Sequence, residues 1–229
     1  MANGLEANGT MVLVPVGRYI PGKFVQSFSL VCAAIEARMP LATSVSDALP
    51  LEKAREALLR EALLMHPKVS YALWLDSDML AEPSHINAML DYAQAHPEAD
   101  VVSALYFNRL SLKPVAYRQL EPNGKIGTPL AEIEPEGNAP AGVDAAGMGC
   151  MLVRLRSIKE KVLPLMEKEG RRKFFWFEPD GHSEDVNFCL LMRRAGLRIM
   201  LLQDVVVPHY GASVTRLEYE QGKKKGEQD

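Results

Sequence analysis

Tyr71-Ala72-Leu73-Trp74-Leu75-Asp76-Ser77-Asp78 is the stretch on which the fold of this 229-residue chain turns. The apolar run is too short for a buried helix and is closed by acids, so it is predicted to be a central strand delivering Asp76 and Asp78 at its carboxyl end. Residues i and i+2 of a strand project from one face, about 6.6 Å apart at Cα, where two carboxylates repel each other. A divalent cation with oxygen ligands relieves that repulsion, and the carboxyl edge of a buried sheet is where α/β proteins bind ligands. Taken alone, Asp-x-Asp is equally the sequence of a solvated loop that contains two acids.

Upstream, Met11-Val12-Leu13-Val14-Pro15-Val16 before Gly17 reads as a first buried strand, and Lys23 to Arg38 carries helical apolar spacing. A short strand is expected at Met39 to Ser44 and a helix from Leu51 to Met65, with Leu51, Ala54, Leu58, Ala62 and Met65 on one face and Arg55 pointing elsewhere. Beyond the deciding strand come a helix at Ser84 to Ala95, a strand at Val101 to Tyr106, and a Pro-, Gly- and Glu-rich segment, Lys113 to Pro140, with a hairpin signal at Asn123-Gly124. Strand-like sequence interrupted by Gly147 and Gly149 spans Val143 to Val153, and Ser157 to Lys168 is helical. A helix opens at His182-Ser183-Glu184-Asp185 and closes at Gly196, and a strand from Ile199 to Val207 ends at Pro208-His209-Tyr210. This alternation predicts an α/β fold in one domain, a mainly parallel sheet with helices on both faces.

Composition narrows the function. Hydrophobic residues make up 48% and charged residues 24%, which is ordinary for a globular chain, and the formal net charge of -3 supplies no basic field to gather a nucleic acid backbone. Lys223-Lys224-Lys225 sits in a polar tail and reads as solvated. Three scattered cysteines write neither a disulfide framework nor a zinc knuckle, and no stretch reaches the roughly 18 uninterrupted apolar residues of a membrane span. A cytoplasmic location is expected.

Two further segments carry chemistry. Ser183 is a good helix cap, and Glu184 and Asp185 in the first turn complement the helix dipole; either acid, Asp185 foremost, could also serve as general base toward an acceptor hydroxyl. His209 at a strand end is a polar loop residue or a metal ligand, and an imidazole would favour manganese over magnesium.

The order of these segments is more specific than any one of them. Val14-Pro15-Val16, Ala54-Arg55, Leu73-Trp74-Leu75-Asp76-Ser77-Asp78, Ala145-Ala146-Gly147-Met148-Gly149-Cys150, Ser183-Glu184-Asp185-Val186-Asn187 and His209-Tyr210-Gly211 together resemble the GT-A glycosyltransferases, particularly the small family 2-like enzymes, over nearly the whole chain from about Val12 to Gly211. The resemblance implies a GT-A, Rossmann-like domain at 11–212, between a flexible 1–10 and a polar tail at 213–229, with a nucleotide-binding half at about 11–106 and an acceptor-binding half at about 107–212. It implies a UDP- or GDP-sugar donor and Mn2+ or Mg2+ held by Asp78 and His209, with Asp76 touching the metal or the ribose beside Ser77. Pro15, Val16, Gly17 and Arg55 would lie against the nucleotide, and Asp185 would act as base in an inverting transfer to a glycan, lipid-linked, protein or small-molecule acceptor. Glu56 departs from the Asn that often follows that arginine, and the Gln-x-x-Arg-Trp signature of processive synthases is absent.

Rival readings are a nucleotidyltransferase, a phosphatase using Asp-x-Asp, and a catalytically silent sugar- or nucleotide-binding module. No Gly-rich phosphate loop with Lys follows the first strand, and Met79-Leu80 stand where the phosphatase motif has Thr. Aromatic residues Phe174 to Phe177 suit either an acceptor sugar or the core.

Overall fold

Alternation along the strands sorts their side chains onto two faces of one sheet, and helices cover both. The computed structural model describes residues 9–17, 20–46, 49–66, 68–119, 130–178 and 181–210. Its first half runs β1 (Gly9–Pro15), α1 (Gly22–Glu36), β2 (Leu41–Ser46), α2 (Leu51–Met65), β3 (Val69–Leu75), α3 (Pro83–Ala95) and β4 (Val101–Leu105). Then follow β5 (Ala116–Gln119), β6 (Leu130–Glu132), β7 (Ala141–Val143), β8 (Ala145–Ala146), β9 (Cys150–Arg154), α4 (Leu155–Ser157), a π-helical turn (Ile158–Val162), α5 (Leu163–Lys168), α6 (Glu184–Arg194) and β10 (Ile199–Val206).

Seven strands form the central sheet in the order β2-β1-β3-β9-β4-β10-β7. β1 pairs in parallel with β2 and β3, and β4 with β10, while β9 lies antiparallel to both β3 and β4 and β7 antiparallel to β10. Five strands therefore point one way and two the other, which makes the sheet mainly parallel. Met11, Leu13, Trp74, Val101, Met151 and Leu201 face α2, the π-helical turn and α6. Val12, Val14, Leu73, Leu75, Val102 and Leu152 face α1 and α3. A small antiparallel sheet, β6-β5-β8, stands apart from the main one.

The structure moves several boundaries. β1 begins at Gly9, two residues inside the stretch expected to be flexible, because Thr10 pairs with both Leu41 and Tyr71. The strand-like segment from Val143 to Val153 holds the end of β7, then β8 and β9, with a break at Asp144 besides the expected interruption at Gly147 to Gly149. The buried face of α2 is Ala54, Arg55, Leu58, Leu59, Ala62 and Leu63, whereas Leu51 and Met65 at the ends of the expected stripe are exposed. Residues 1–8, the Asn123-Gly124 turn and the tail from residue 211 lie outside the described residues, although β5 and β6, which flank that turn, do pair antiparallel. Among the described residues no helix is long and apolar enough to cross a membrane.

Candidate functional site

Parallel strands end on a common edge, and the acids predicted to carry chemistry stand there. Asp76, Ser77 and Asp78 follow β3 directly, each half-buried. On the neighbouring strand Leu13 pairs with Trp74, which brings Pro15, Val16 and Gly17 to the same edge. Val16 is fixed there by donating its N–H to Ser46 Oγ at 3.1 Å, and a Cβ on Gly17 would meet open space.

Beneath this edge Arg55 is 2% exposed. Its Nε donates to Glu184 Oε1 at 3.1 Å and its Nη2 to Asp76 Oδ2 at 3.0 Å, while the guanidinium lies 5.6 Å from the Trp74 ring centroid. Burial works against the charge of Arg55, but Asp76, Glu184 and Asp185 hold its pKa above the ordinary value. Burial raises both partner carboxyls: Asp76 with Asp78 adding and Arg55 opposing, Glu184 with Asp185 adding and Arg55 opposing. Arg55 thus ties the end of β3 to the start of α6 from below the site. Arg55, expected beside the nucleotide, and Glu184, expected to share the base role, are paired with each other here, with 2% and 3% of the two residues exposed.

Asp78 has different neighbours. Its Oδ1 lies 3.6 Å from His209 Nε2 and its Oδ2 3.2 Å from Arg109 Nη1. Burial would raise its pKa, but His209 and Arg109 lower it overall. Burial would lower the pKa of His209, but Asp78 and the Phe107 carbonyl raise it. Backbone pairing locks the arrangement: Met79 and His209 form an antiparallel bridge, Leu80 N donates to Pro208 O at 2.9 Å, and Tyr210 N donates to Asp78 O at 2.6 Å. The loop after β3 and the segment after β10 are therefore one unit.

A metal would suit Asp78 and His209. Nδ1 of His209 lies 3.0 Å from the Phe107 carbonyl, so in the neutral ring Nδ1–H donates there and the lone pair stays on Nε2, facing Asp78. An ionised carboxylate and an oriented imidazole are ligands a Mn2+-like ion accepts. Among the described residues no group of three or more His, Cys, Asp or Glu side chains could hold an ion, so a bound cation would complete its shell from substrate or solvent. Asp76, expected to touch the metal or the ribose, accepts from Arg55 through Oδ2, and its Oδ1 is buried without a hydrogen-bond partner.

Asp185 opens α6 beside this edge. Its Oδ1 accepts hydrogen bonds from Ser183 Oγ and, at 2.8 Å, from Val186 N. Ser183 occupies the cap position of α6, but its hydroxyl serves Asp185 rather than the helix backbone. Next to it lies a cavity of about 470 Å³ lined by Lys113, Tyr117, Glu132, Gly181, His182, Ser183 and Val186. Lys113 and Glu132 pair across 2.8 Å. Burial raises the Tyr117 phenol, with Asp185 and Glu132 adding. A cavity of about 600 Å³ at the opposite edge, which includes Asp100 and Arg154, has a structural role: Asp100 accepts from Ser157 Oγ and Arg198 N, and Arg154 donates to Tyr71 Oη and Ala93 O.

Several residues were not anticipated. Tyr106 is buried with its Oη accepting from Gly149 N at 3.2 Å, and a Cβ on Gly147 would fall 1.8 Å from that oxygen, so the glycines of the 145–150 segment make room for a tyrosine. Glu56, the departure from the resemblance, accepts from Phe174 N at 2.7 Å and anchors the aromatic run. Phe174 and Phe175 are core residues, Phe175 stacking on Phe188 at 4.6 Å, and Phe177 alone of the four is well exposed. Asn187 is fully buried and donates to the carbonyls of Trp176 and His182, tying that run to α6.

No family model matches the sequence, and no curated protein matches it. The fold has a solved counterpart. The chain is similar to A197 from STIV, known from a crystal structure, with 15% identity over 89% of this chain and 85% of that one and a TM-score of 0.55. At that identity the likeness to A197 speaks for the fold alone and assigns no residue a role.

Proposed function

We propose that the protein is a metal-dependent glycosyltransferase of the GT-A type, moving a hexose from a UDP- or GDP-sugar to an acceptor hydroxyl with inversion. The observation that carries this reading is the meeting of Asp78 and His209, with Nε2 left facing the carboxylate, at the edge where Pro15 to Gly17 and Asp185 also stand. Asp78 and His209 would hold Mn2+ or Mg2+, which when bound acts as a Lewis acid toward the departing diphosphate.

The chain's own residues supply the rest. Ser183 Oγ and Val186 N fix Oδ1 of Asp185, leaving Oδ2 to take the proton of an acceptor hydroxyl as that oxygen attacks the anomeric carbon. The cavity bounded by Tyr117, His182 and Ser183 offers the acceptor a polar recess beside that carboxylate. Arg55 keeps the Asp76 loop and the Glu184–Asp185 turn in register from below.

A thermal-shift panel of UDP, GDP, CMP and dTDP, each with and without Mn2+, tests the reading. A ligand at about 100 times its Kd adds about 2.7 kcal/mol, a rise of roughly 5 to 10 °C for a chain of this size. One nucleotide is expected to give a metal-dependent shift that Asp78→Ala abolishes, and slow hydrolysis of the matching nucleotide sugar separates a transferase from a silent module. No shift with any nucleotide would overturn the proposal.

A further inference from the structure

We propose that Arg109 exchanges partners as the donor binds, releasing Asp78 to the cation and pairing with the diphosphate of the nucleotide sugar. This rests on the metal- and nucleotide-binding reading above. The Asp78 carboxylate is divided: Oδ1 faces His209 Nε2, and Oδ2 is held by Arg109 Nη1 at 3.2 Å. Arg109 therefore covers the half of the carboxylate that His209 leaves open. A guanidinium and a dication cannot both sit on one carboxylate without strong repulsion at a few ångströms, so an arriving cation expels the arginine.

The surrounding chain allows the movement. Arg109 has a side chain 52% exposed, against 14% for His209, so it is far less enclosed than the histidine. Its loop is shaped by its own bonds: Asn108 Oδ1 accepts from Leu110 N at 2.9 Å and Ser111 N at 3.1 Å, and Leu112 N donates to Asn108 O at 2.9 Å. Leu112 takes a left-handed φ of 56°, uncommon for a residue with a Cβ, and Leu110 is 95% exposed. The base of the loop is fixed, because Phe107 bridges Pro114 and its carbonyl orients His209. Arg109 thus swings from a point two residues beyond the group that aims the histidine.

Once displaced, the nearest large negative charge is the diphosphate drawn in by the same cation. The planar guanidinium matches phosphate oxygens, and such charge-assisted pairs are strong. Arg109 is then a diphosphate-binding residue whose removal has opposite effects on two equilibria. A purely structural role would move both the same way.

Isothermal titration of the full chain makes the test. Arg109→Ala is expected to bind Mn2+ alone about 2- to 5-fold more tightly, the range an exposed ion pair covers. With Mn2+ saturating, it is expected to bind UDP or GDP, whichever the wild type selects, at least about 10-fold more weakly, with the matching monophosphate much less affected. Arg109→Lys restores part of the diphosphate affinity, and Arg109→Gln, which keeps most of the stem, repeats both titrations if the alanine variant misfolds. Unchanged affinities, shifts of one sign, or a monophosphate weakened as much as the diphosphate would each overturn the role of Arg109. Wild-type protein that binds neither Mn2+ nor a nucleoside diphosphate overturns the underlying reading as well, a pattern distinct from the others.

Discussion

Arg55 Nε hydrogen-bonds Glu184 Oε1 at 3.1 Å across a sequence separation of 129 residues, with 2% and 4% of the two side chains exposed. Breaking a buried ion pair from one side leaves an uncompensated charge, typically at a cost of about 3 to 5 kcal/mol. Arg55→Met is therefore expected to lower the midpoint of thermal unfolding by roughly 6 to 20 °C. Arg55→Lys should recover little, because one ammonium cannot span Asp76 and Glu184 as the fork does. Calorimetry of the three proteins decides it; a lysine variant as stable as wild type would remove the fork from the argument.

Gly147 is a packing requirement of Tyr106. An added Cβ would stand 1.8 Å from Tyr106 Oη, 2.7 Å from Cζ and 2.8 Å from Val115 Cγ1. Overpacking of this kind typically costs about 1 to 3 kcal/mol. Gly147→Ala should lose that much in urea unfolding, and the loss should shrink in a Tyr106→Leu background, giving a measurable coupling. Equal losses in both backgrounds would place the strain elsewhere.

Asp185→Asn keeps the shape of the α6 turn and removes the proton acceptor. Turnover should fall by about 10² to 10⁴ while the metal-dependent nucleotide shift is retained. Transfer within tenfold of wild type would take the base role away from Asp185.

The Asp78–His209 pair should be visible in a titration. His209 is raised above its ordinary value of about 6.5, so its contribution to stability is complete below that pH and is lost as pH rises through the raised value; Asp78 is lowered, so its contribution persists until pH falls through that lower value. Imidazole resonances of the metal-free protein should give a His209 midpoint above 6.5 that drops in Asp78→Asn. Protons compete with a cation for Nε2, so Mn2+ affinity should fall as pH decreases through the same midpoint. A midpoint at or below 6.5 would contradict the pairing.

Much of this arrangement was legible because hydrophobic runs are local signals. The run ending at Leu75 announced β3 and the place of Asp76 and Asp78, and Gly196, at φ 79°, ends α6 where expected. The role of Arg55 was obscured by its charge. Its spacing with Leu58, Leu59 and Ala62, three, four and seven residues on, marks the buried face of α2, and that periodicity was the available signal. Arg109 and Tyr106 left none, since their partners are chosen by long-range pairing. The antiparallel course of β9 was equally hidden, because glycine spacing records a bend and not the direction of the strand that follows.

That course governs how the protein can be made. Cys150 to Arg154 fill the gap between β3 and β4, pairing with both. As the chain emerges from the ribosome, β3 and β4 have no common hydrogen-bonded neighbour until residue 154 has been synthesised, and Asp78 waits for His209, later still. A polypeptide severed near residue 106 would yield two fragments, each with an unpaired strand edge that the other must cover, so the two halves of the chain are not separate units of folding.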